Sequence, residues 1–218
     1  MFPDPHRHSV KICGITRPEQ AAEIFALGAD AVGINLWPKS KRHMPLSVAV
    51  DSLKDVAAKN ALVAVLVNPD DALLNATTSS QLFQAVQLHG DETPQAVERL
   101  MSRGVNVIKA LQVRDAASLS QIGEFPCAAI LLDAYNPGTY GGGGHAFPWE
   151  LAVRAREMFP EKHILLSGGL TADNVRQAVQ QTNPIAVDVA SGVESQPGIK
   201  DLALVARFIA EARAGWGC

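Results

Sequence analysis

The sequence predicts a single α/β domain with the architecture of a closed (β/α)8 barrel, the TIM barrel. Eight short runs of β-branched or apolar residues alternate along the 218 residues with eight segments of helical spacing. Continuous apolar runs of this length are typical of parallel strands that are buried on both faces. Strict alternation indicates right-handed crossovers between parallel strands, and an open doubly wound sheet usually has fewer than eight strands. The pattern therefore favours a closed barrel.

The predicted strands follow one another at intervals that leave room for one helix each. They are expected at 9–13, 30–36, 61–67, 83–88, 105–111, 128–133, 163–167 and 184–190. The first strand reads SVKIC and the sixth segment reads AAILLD, so a cysteine and an aspartate stand at their carboxyl ends. In a barrel of this type the active site lies at that end of the strands.

The segments between the strands carry apolar residues at helical spacing and end near Gly, Asn, Pro or polar clusters. Helices are expected at 19–28, 47–60, 71–80, 93–104, 114–123, 148–159, 171–182 and 199–215. Residues 1–8 are expected to form a solvated N-terminal tail, and residues 9–218 the barrel domain.

Composition excludes several classes of function. Lys and Arg together number 19 and Asp and Glu 22, so the net charge of −3 gives no basic excess for nucleic acid. No apolar run is long enough to cross a membrane, and the first residues lack the apolar core of a signal peptide. The three cysteines, Cys13, Cys127 and Cys218, are far apart and form no metal-binding pattern. We expect a cytoplasmic protein without metal or cofactor, as a monomer or a homodimer.

Two residues at strand ends are candidates for acid–base chemistry. Cys13 either fills the core as a small buried side chain or reaches the catalytic mouth, the open end of the barrel at the carboxyl ends of the strands. Gly14 beside it favours the second interpretation, because a glycine leaves space next to the thiol. Asp133 follows a buried apolar run, where a carboxylate is costly unless it is paired or lies at the mouth. Its position on the catalytic face favours function over a structural cap.

Two glycine-containing turns are candidates for a phosphate site. Gly168 and Gly169 follow the seventh strand, and Ser191 and Gly192 follow the eighth. Glycines let backbone N–H groups approach an anion, and barrels of this type commonly bind phosphate in these two loops. In a closed barrel the eighth strand adjoins the first and the seventh adjoins the sixth. A phosphate bound there lies between the ends of the first and sixth strands, which suits general acid–base catalysis on a phosphorylated sugar.

The remaining candidates lie in loops at the same end of the barrel. Arg42 is either part of a solvated basic loop or a residue whose guanidinium binds a substrate carboxylate through two hydrogen bonds. The segment 140–144 is either a mobile lid or a flexible connection. His89 and Lys109 are expected to line the mouth, with no catalytic step assigned to either.

These residues lie in motifs that resemble the phosphoribosylanthranilate isomerase family of tryptophan biosynthesis. The matching motifs occur in the family's order and run from residue 10 to residue 194. They are VKICGIT (10–16), WPKSKRH (37–43), VLVNPD (65–70), VQLHGDE (86–92), LLDAY (131–135), YGGGGHAF (140–147), LSGGL (166–170) and VDVASGVE (187–194).

The resemblance implies an Amadori rearrangement, an internal oxidation–reduction that converts an aldose derivative into a ketose derivative without a cofactor. It implies that Cys13 is the general base, Asp133 the general acid and Arg42 the group that receives the anthranilate carboxylate. The glycine turns would bind the substrate phosphate. Pro148 departs from the family, which often has an aspartate there, and this puts the cap of the following helix in doubt.

Two other hypotheses remain open from the sequence. The barrel could isomerise a related aminosugar phosphate that has a carboxamide in place of anthranilate, in which case Arg42 is dispensable. It could also bind phosphorylated metabolites without catalysis, although the intact acid and base positions argue against this.

Overall fold

Eight parallel strands close into a barrel in a computed structural model of the chain, which describes residues 2–134 and 147–217. The strands pair in chain order, and β8 returns to β1 with Val189 opposite Ile12. The strands are β1 (Ser9–Cys13), β2 (Ala31–Asn35), β3 (Ala61–Leu66), β4 (Ala85–Leu88), β5 (Val107–Val113), β6 (Ala129–Ala134), β7 (His163–Leu166) and β8 (Ala186–Val189). The predicted TIM barrel is confirmed.

The α-helices pack around the outside of the barrel, and their apolar faces form the larger of its two cores. They are α1 (Glu19–Ala26), α2 (Leu46–Ala57), α3 (Asp71–Ser79), α4 (Pro94–Met101), α5 (Trp149–Met158), α6 (Val175–Thr182) and α7 (Leu202–Trp216). None of the described helices is long and apolar enough to cross a membrane.

The segment between β5 and β6 differs from the α-helix predicted at 114–123. It is a 3-10 helix over Ala117–Glu124. The Asp115 carboxylate accepts a hydrogen bond from the Ser118 backbone N–H, and the Ser118 hydroxyl accepts one from the Asp115 N–H. Such local side-chain bonds compete with regular helix formation, which explains why the helical spacing did not lead to an α-helix.

The last predicted helix, 199–215, begins later than expected because a small hairpin precedes it. The strands β9 (Glu194–Gln196) and β10 (Ile199–Lys200) pair antiparallel, and α7 begins only at Leu202. The Asp201 carboxylate caps this helix by accepting hydrogen bonds from the N–H groups of Ala203 and Leu204. The hairpin adjoins the catalytic end of β8.

The barrel interior has its own apolar core, and the N-terminal tail contributes to it. Alanines occupy the first position of five strands, β2, β3, β4, β6 and β8. Phe2 belongs to the same buried cluster as these small side chains and is 2% exposed. The His8 ring stacks on Trp216 at 4.8 Å between ring centres. The tail is therefore packed against the barrel rather than fully solvated.

Candidate active site

Cys13 lies at the carboxyl end of β1, opposite Gly33 of β2. A Cβ atom added at Gly33 would lie 2.7 Å from the Cys13 Sγ and 3.1 Å from the Lys11 Nζ. The thiol therefore occupies space inside the barrel that any larger residue at position 33 would take. Sequence reasoning missed Gly33, although an isolated glycine within a strand pattern often marks such a close approach.

Gly14 has a different role from the one predicted. It adopts φ +78°, and a Cβ atom there would lie 2.6 Å from the Cδ of Arg42. The stem of the arginine therefore lies over Gly14, and this glycine makes room for Arg42 rather than for the thiol. The contact brings the Arg42 side chain next to the strand that ends in Cys13.

Lys11 and Asp188 form a buried ion pair within the barrel. The Lys11 Nζ donates a hydrogen bond of 2.8 Å to the Asp188 Oδ1, and the lysine side chain is fully buried. Burial lowers the pKa of Lys11, but Asp188 and Cys13 outweigh this effect and raise it above its ordinary value. The ammonium therefore stays charged. Lys11 lies two residues before Cys13, a spacing that places both on one face of β1; sequence reasoning overlooked this signal.

The Cys13 thiol lies among charges of both signs. Burial raises its pKa above the ordinary value of 9.0; Asp188 adds to this effect, whereas Lys11 and Lys200 oppose it. Burial is the largest of these effects, so it opposes ionisation of the thiol.

Asp133 lies near the carboxyl end of β6 and is 4% exposed. Its Oδ1 accepts a hydrogen bond from the Ala134 N–H, and its Oδ2 lies 3.2 Å from the His89 Nε2. The Gln87 Nε2 lies 3.1 Å from the other ring nitrogen of His89. The His89 ring therefore lies between the Gln87 amide and the Asp133 carboxylate. His89 thus lines the mouth, as predicted, and orients the carboxylate.

The two glycine turns contact each other and Asp133. At Gly168, which has φ +84°, a Cβ atom would lie 2.6 Å from the Ala134 nitrogen and 3.1 Å from the Asp133 Oδ1. A Cβ atom at Gly192 would overlap the carbonyl oxygen of Leu170. The ends of β6, β7 and β8 therefore form one continuous surface, with Cys13 on the strand that adjoins β8.

The other two residues predicted in these turns lie on the same surface. Gly169 follows Gly168 with φ +68°, so two successive residues adopt a conformation that favours glycine. Ser191 is exposed and begins the short 3-10 helix Ser191–Val193 after β8. Of the four residues predicted in these turns, Ser191 is exposed and the three glycines are partly buried.

Arg42 has an internal partner that sequence reasoning did not find. Its Nε and Nη2 each donate a hydrogen bond of 2.7 Å to the two carboxylate oxygens of Glu194. The Lys200 Nζ donates one of 2.7 Å to the same carboxylate. Burial raises the pKa of Glu194, but the bonds to Arg42 and Lys200 outweigh it and lower that pKa. The hydrogen bond to Glu194 raises the pKa of Arg42.

Some predicted positions lie elsewhere or outside the described residues. Lys109 lies on the outer face of β5; its Nζ binds the carbonyl oxygen of Gly90 and the carboxylate of Glu92, in the loop after β4. Pro148 is the N-cap residue of α5 and gives the helix no side-chain hydrogen bond, which agrees with the doubt about this cap. The segment 140–144, predicted as a lid or a connection, lies outside the described residues. Within 2–134 and 147–217, no group of three or more His, Cys, Asp or Glu side chains is placed to hold a metal ion.

Comparison with known proteins decides the family. The family model described as N-(5′-phosphoribosyl)anthranilate isomerase matches residues 10–211. The chain belongs to the N-(5′-phosphoribosyl)anthranilate isomerase family. A curated relative of this name from Geobacter metallireducens is 45% identical over 208 residues, covering 94% of this chain and 98% of its own. The family match includes Cys13, Asp133 and both glycine turns.

Solved structures of phosphoribosylanthranilate isomerases have the same fold. The enzyme from Thermotoga maritima is 38% identical with a TM-score of 0.85, covering 95% of this chain and 99% of its own. Another structure, in complex with reduced 1-(o-carboxyphenylamino)-1-deoxyribulose 5-phosphate, is 36% identical with a TM-score of 0.82 and the same coverage. A third comes from monomers generated from the dimeric Thermotoga maritima enzyme, at 34% identity and a TM-score of 0.79, again covering 95% and 99%.

Proposed function

We propose that this chain catalyses the Amadori rearrangement of N-(5′-phosphoribosyl)anthranilate to 1-(2-carboxyphenylamino)-1-deoxyribulose 5-phosphate, a step of L-tryptophan biosynthesis. The observation that carries the proposal is the placement of Cys13 and Asp133 on the strands that flank the two glycine turns. Family membership supports it, as does a relative solved with a reduced form of this product.

Asp133 is the general acid of the first step. It donates a proton to the furanose ring oxygen while the bond between that oxygen and C1′ breaks. The nitrogen lone pair moves into the new C=N bond, and an open-chain iminium ion forms. The position of Asp133 against Gly168 supports this role, because the sugar ring lies next to the phosphate turn in a substrate held there.

Cys13 is the general base of the second step. Its thiolate removes the proton from C2′, and the electron pair left on carbon moves into the iminium group. The resulting enolamine tautomerises to the ketone. Because the substrate's own iminium accepts the electrons, the reaction requires no bound electron sink. A buried thiolate is a strong base, which suits removal of a proton from carbon.

The active form of the pair carries one proton, on Asp133, with Cys13 ionised. Burial raises the pKa of Cys13, so ionisation of the thiol is the costly part of reaching this form.

Two sites hold the ends of the substrate. The phosphate binds at Gly168, Gly169, Ser191 and Gly192, where glycine allows close backbone approach. The anthranilate carboxylate binds Arg42. Since Glu194 accepts from Nε and Nη2, the substrate carboxylate meets the edge of the guanidinium that includes Nη1. Arg42, Glu194 and Lys200 together carry one net positive charge, which favours a second carboxylate.

The test is the loss of substrate fluorescence with freshly prepared phosphoribosylanthranilate. Wild-type protein should consume it, Cys13→Ala should bind a product analogue without turnover, and Asp133→Asn should lose most activity. Cys127→Ala, which changes a buried thiol away from the mouth, is the matched control. Near-full activity of Cys13→Ala would overturn the assignment of the base.

The same assay separates the two other hypotheses. A carboxamide-bearing aminosugar phosphate as the true substrate predicts turnover that Arg42→Ala leaves unchanged. A binding-only barrel predicts that wild-type protein binds the product analogue with no turnover at any pH. Either result would overturn the proposed reaction.

A further inference from the structure

Cys13 lies within a cluster of five buried or half-buried charges. Three of them are the cationic side chains of Lys11, Arg42 and Lys200, each paired with a carboxylate. Two are anions, Asp188 and Glu194. The cluster therefore has one net positive charge when Cys13 is a thiol, and it becomes neutral when Cys13 is a thiolate.

Lys11 differs from the other two cations in its position. Arg42 and Lys200 both bind Glu194, in the loops above the barrel end. Lys11 lies within the barrel, and the point where a Gly33 Cβ would stand is 3.1 Å from its Nζ and 2.7 Å from the Cys13 Sγ. The ammonium and the sulfur are therefore no farther apart than the sum of these two distances.

Asp188 holds the Lys11 ammonium in place from the neighbouring strand. It lies on β8, which pairs with β1 so that Asp188 stands opposite Lys11 in the register. The ion pair is 2.8 Å long, with side chains 0% and 5% exposed. Burying a lysine in a barrel is costly, and leucine or methionine would fill the space at a lower electrostatic cost.

We propose that Lys11 is a positioning residue for the isomerisation: its buried ammonium, fixed by Asp188, stabilises the Cys13 thiolate from inside the barrel. The inference rests on the proposed role of Cys13 as the base. Lys11 keeps its proton throughout, and the proton from C2′ goes to the sulfur. The lysine acts only by making the ionised form of Cys13 less costly in a buried place.

A purely structural role makes a different prediction from this electrostatic role. If the ion pair only holds the barrel together, removal of either partner disturbs Cys13 in the same direction. If Lys11 acts through its charge, removal of Lys11 raises the pKa of Cys13, whereas removal of the Asp188 charge lowers it. Opposite signs therefore identify the electrostatic role.

The experiment measures the titration of Cys13 without substrate, in a Cys127→Ala/Cys218→Ala background. Alkylation by iodoacetamide is followed by mass spectrometry across the alkaline range, together with the ultraviolet absorbance of the thiolate relative to Cys13→Ser. A shift of one pKa unit changes the thiolate population about tenfold. A thiolate is also a stronger nucleophile when the pKa of its thiol is higher, and this partly offsets the change in population. The alkylation rate therefore changes only about threefold.

Lys11→Met should slow alkylation at least about threefold at a fixed pH, and Asp188→Asn should accelerate it by a similar factor. The control is Lys109→Met, which removes a buried lysine that binds Glu92 on the outer face of the sheet and should leave the titration unchanged. Shifts of the same sign in Lys11→Met and Asp188→Asn, or no shift, would overturn the proposal.

If Lys11→Met does not fold, Asp188→Asn and the double variant Lys11→Met/Asp188→Asn decide the question. Asp188→Asn must accelerate alkylation, and the double variant must reverse that acceleration; failure of either result overturns the role of Lys11. This titration uses no substrate, so its failure is distinct from failure of the proposed reaction, which is read from the turnover of Cys13→Ala.

Discussion

Both carboxylate oxygens of Glu194 accept hydrogen bonds of 2.7 Å from the Arg42 guanidinium, across 152 residues of sequence. The arginine proposed to receive the substrate carboxylate is therefore held by a carboxylate of the protein. Lys200 binds the same Glu194 side chain and is itself fully buried. The orientation of Arg42 thus depends on the hairpin formed by β9 and β10, and not only on its own loop.

The first prediction concerns Glu194→Gln. The glutamine amide is uncharged and has a single oxygen, so it cannot accept both hydrogen bonds of the Arg42 guanidinium. Arg42 should therefore lose its fixed orientation. We expect KM to rise about tenfold, as charge-assisted hydrogen bonds contribute about 1.5–3 kcal/mol, with kcat changed much less. Steady-state kinetics measure this. Glu211→Gln, at a more exposed ion pair with Arg176, is the control; an unchanged KM in Glu194→Gln would contradict the role.

The second prediction is a stability effect in acid. Because the pKa of Glu194 is lowered in the folded protein, its ion pairs contribute fully above the ordinary value of 4.5 and are lost as the pH falls through the lowered pKa. The Tm of the wild type should therefore exceed that of Glu194→Gln at neutral pH, and the difference should shrink in acid. Circular dichroism melts over a pH series measure it. A difference that stays constant or widens on acidification would be the wrong sign.

The third prediction concerns Gly33→Ala. The added methyl group would lie 2.7 Å from the Cys13 sulfur, so the thiol must move. A displacement of about 1 Å in an active site can cost about a hundredfold in rate, and we expect a loss of this size in kcat/KM. Gly104→Ala is the control, since its new methyl group meets nothing within 4 Å although its φ of +78° makes it destabilising. Comparable activity in the two variants would contradict the close approach.

The fourth prediction concerns His89→Phe. The change removes the ring nitrogen 3.2 Å from the Asp133 Oδ2 and leaves the phosphate and carboxylate sites intact. We expect kcat to fall about tenfold with little change in KM, the opposite pattern to Glu194→Gln. Single-turnover kinetics measure the chemical step directly. His163→Phe, at the opposite end of the barrel on β7, is the control, and equal losses in both variants would show a general effect of losing a histidine.

The fifth prediction separates stability from activity. Phe2 fills space among alanines at the end of the barrel away from the mouth. Phe2→Ala should lower the free energy of unfolding by about 3 kcal/mol, a usual cost for a buried phenylalanine. Urea denaturation measures this, and kcat/KM at moderate temperature should be unchanged. His6→Ala, at an exposed position of the same segment, should have no effect; equal stability of Phe2→Ala and wild type would show that the packing is unimportant.

The fold was predictable because parallel strands buried on both faces require continuous apolar runs, and eight of these alternate with helical segments. The same order placed Cys13 and Asp133 at the mouth. The continuous runs, however, do not distinguish the two faces of a strand. Lys109 was therefore expected at the mouth, although its side chain binds Glu92 on the outer face, while the inward position of Lys11 was overlooked.

The contacts that shape the site were not predictable, because barrel closure brings distant segments together. Nothing near Arg42 in the sequence indicates Glu194 as its partner. Gly14 was expected to free space beside Cys13, but Arg42 reaches it from another loop, and the space beside the thiol comes from Gly33. The 3-10 helix after β5, by contrast, follows from local bonds between Asp115 and Ser118, which the spacing of apolar residues alone does not reveal.

The hairpin formed by β9 and β10 connects Arg42 to the end of the barrel that carries Cys13. Its Glu194 binds the guanidinium, and its Lys200 binds Glu194 and also opposes the effect of burial on the pKa of Cys13. A change in this short segment is therefore expected to alter the proposed carboxylate site and the proposed base together. Directed evolution toward new aminosugar substrates should vary 194–200 and Arg42 as one unit.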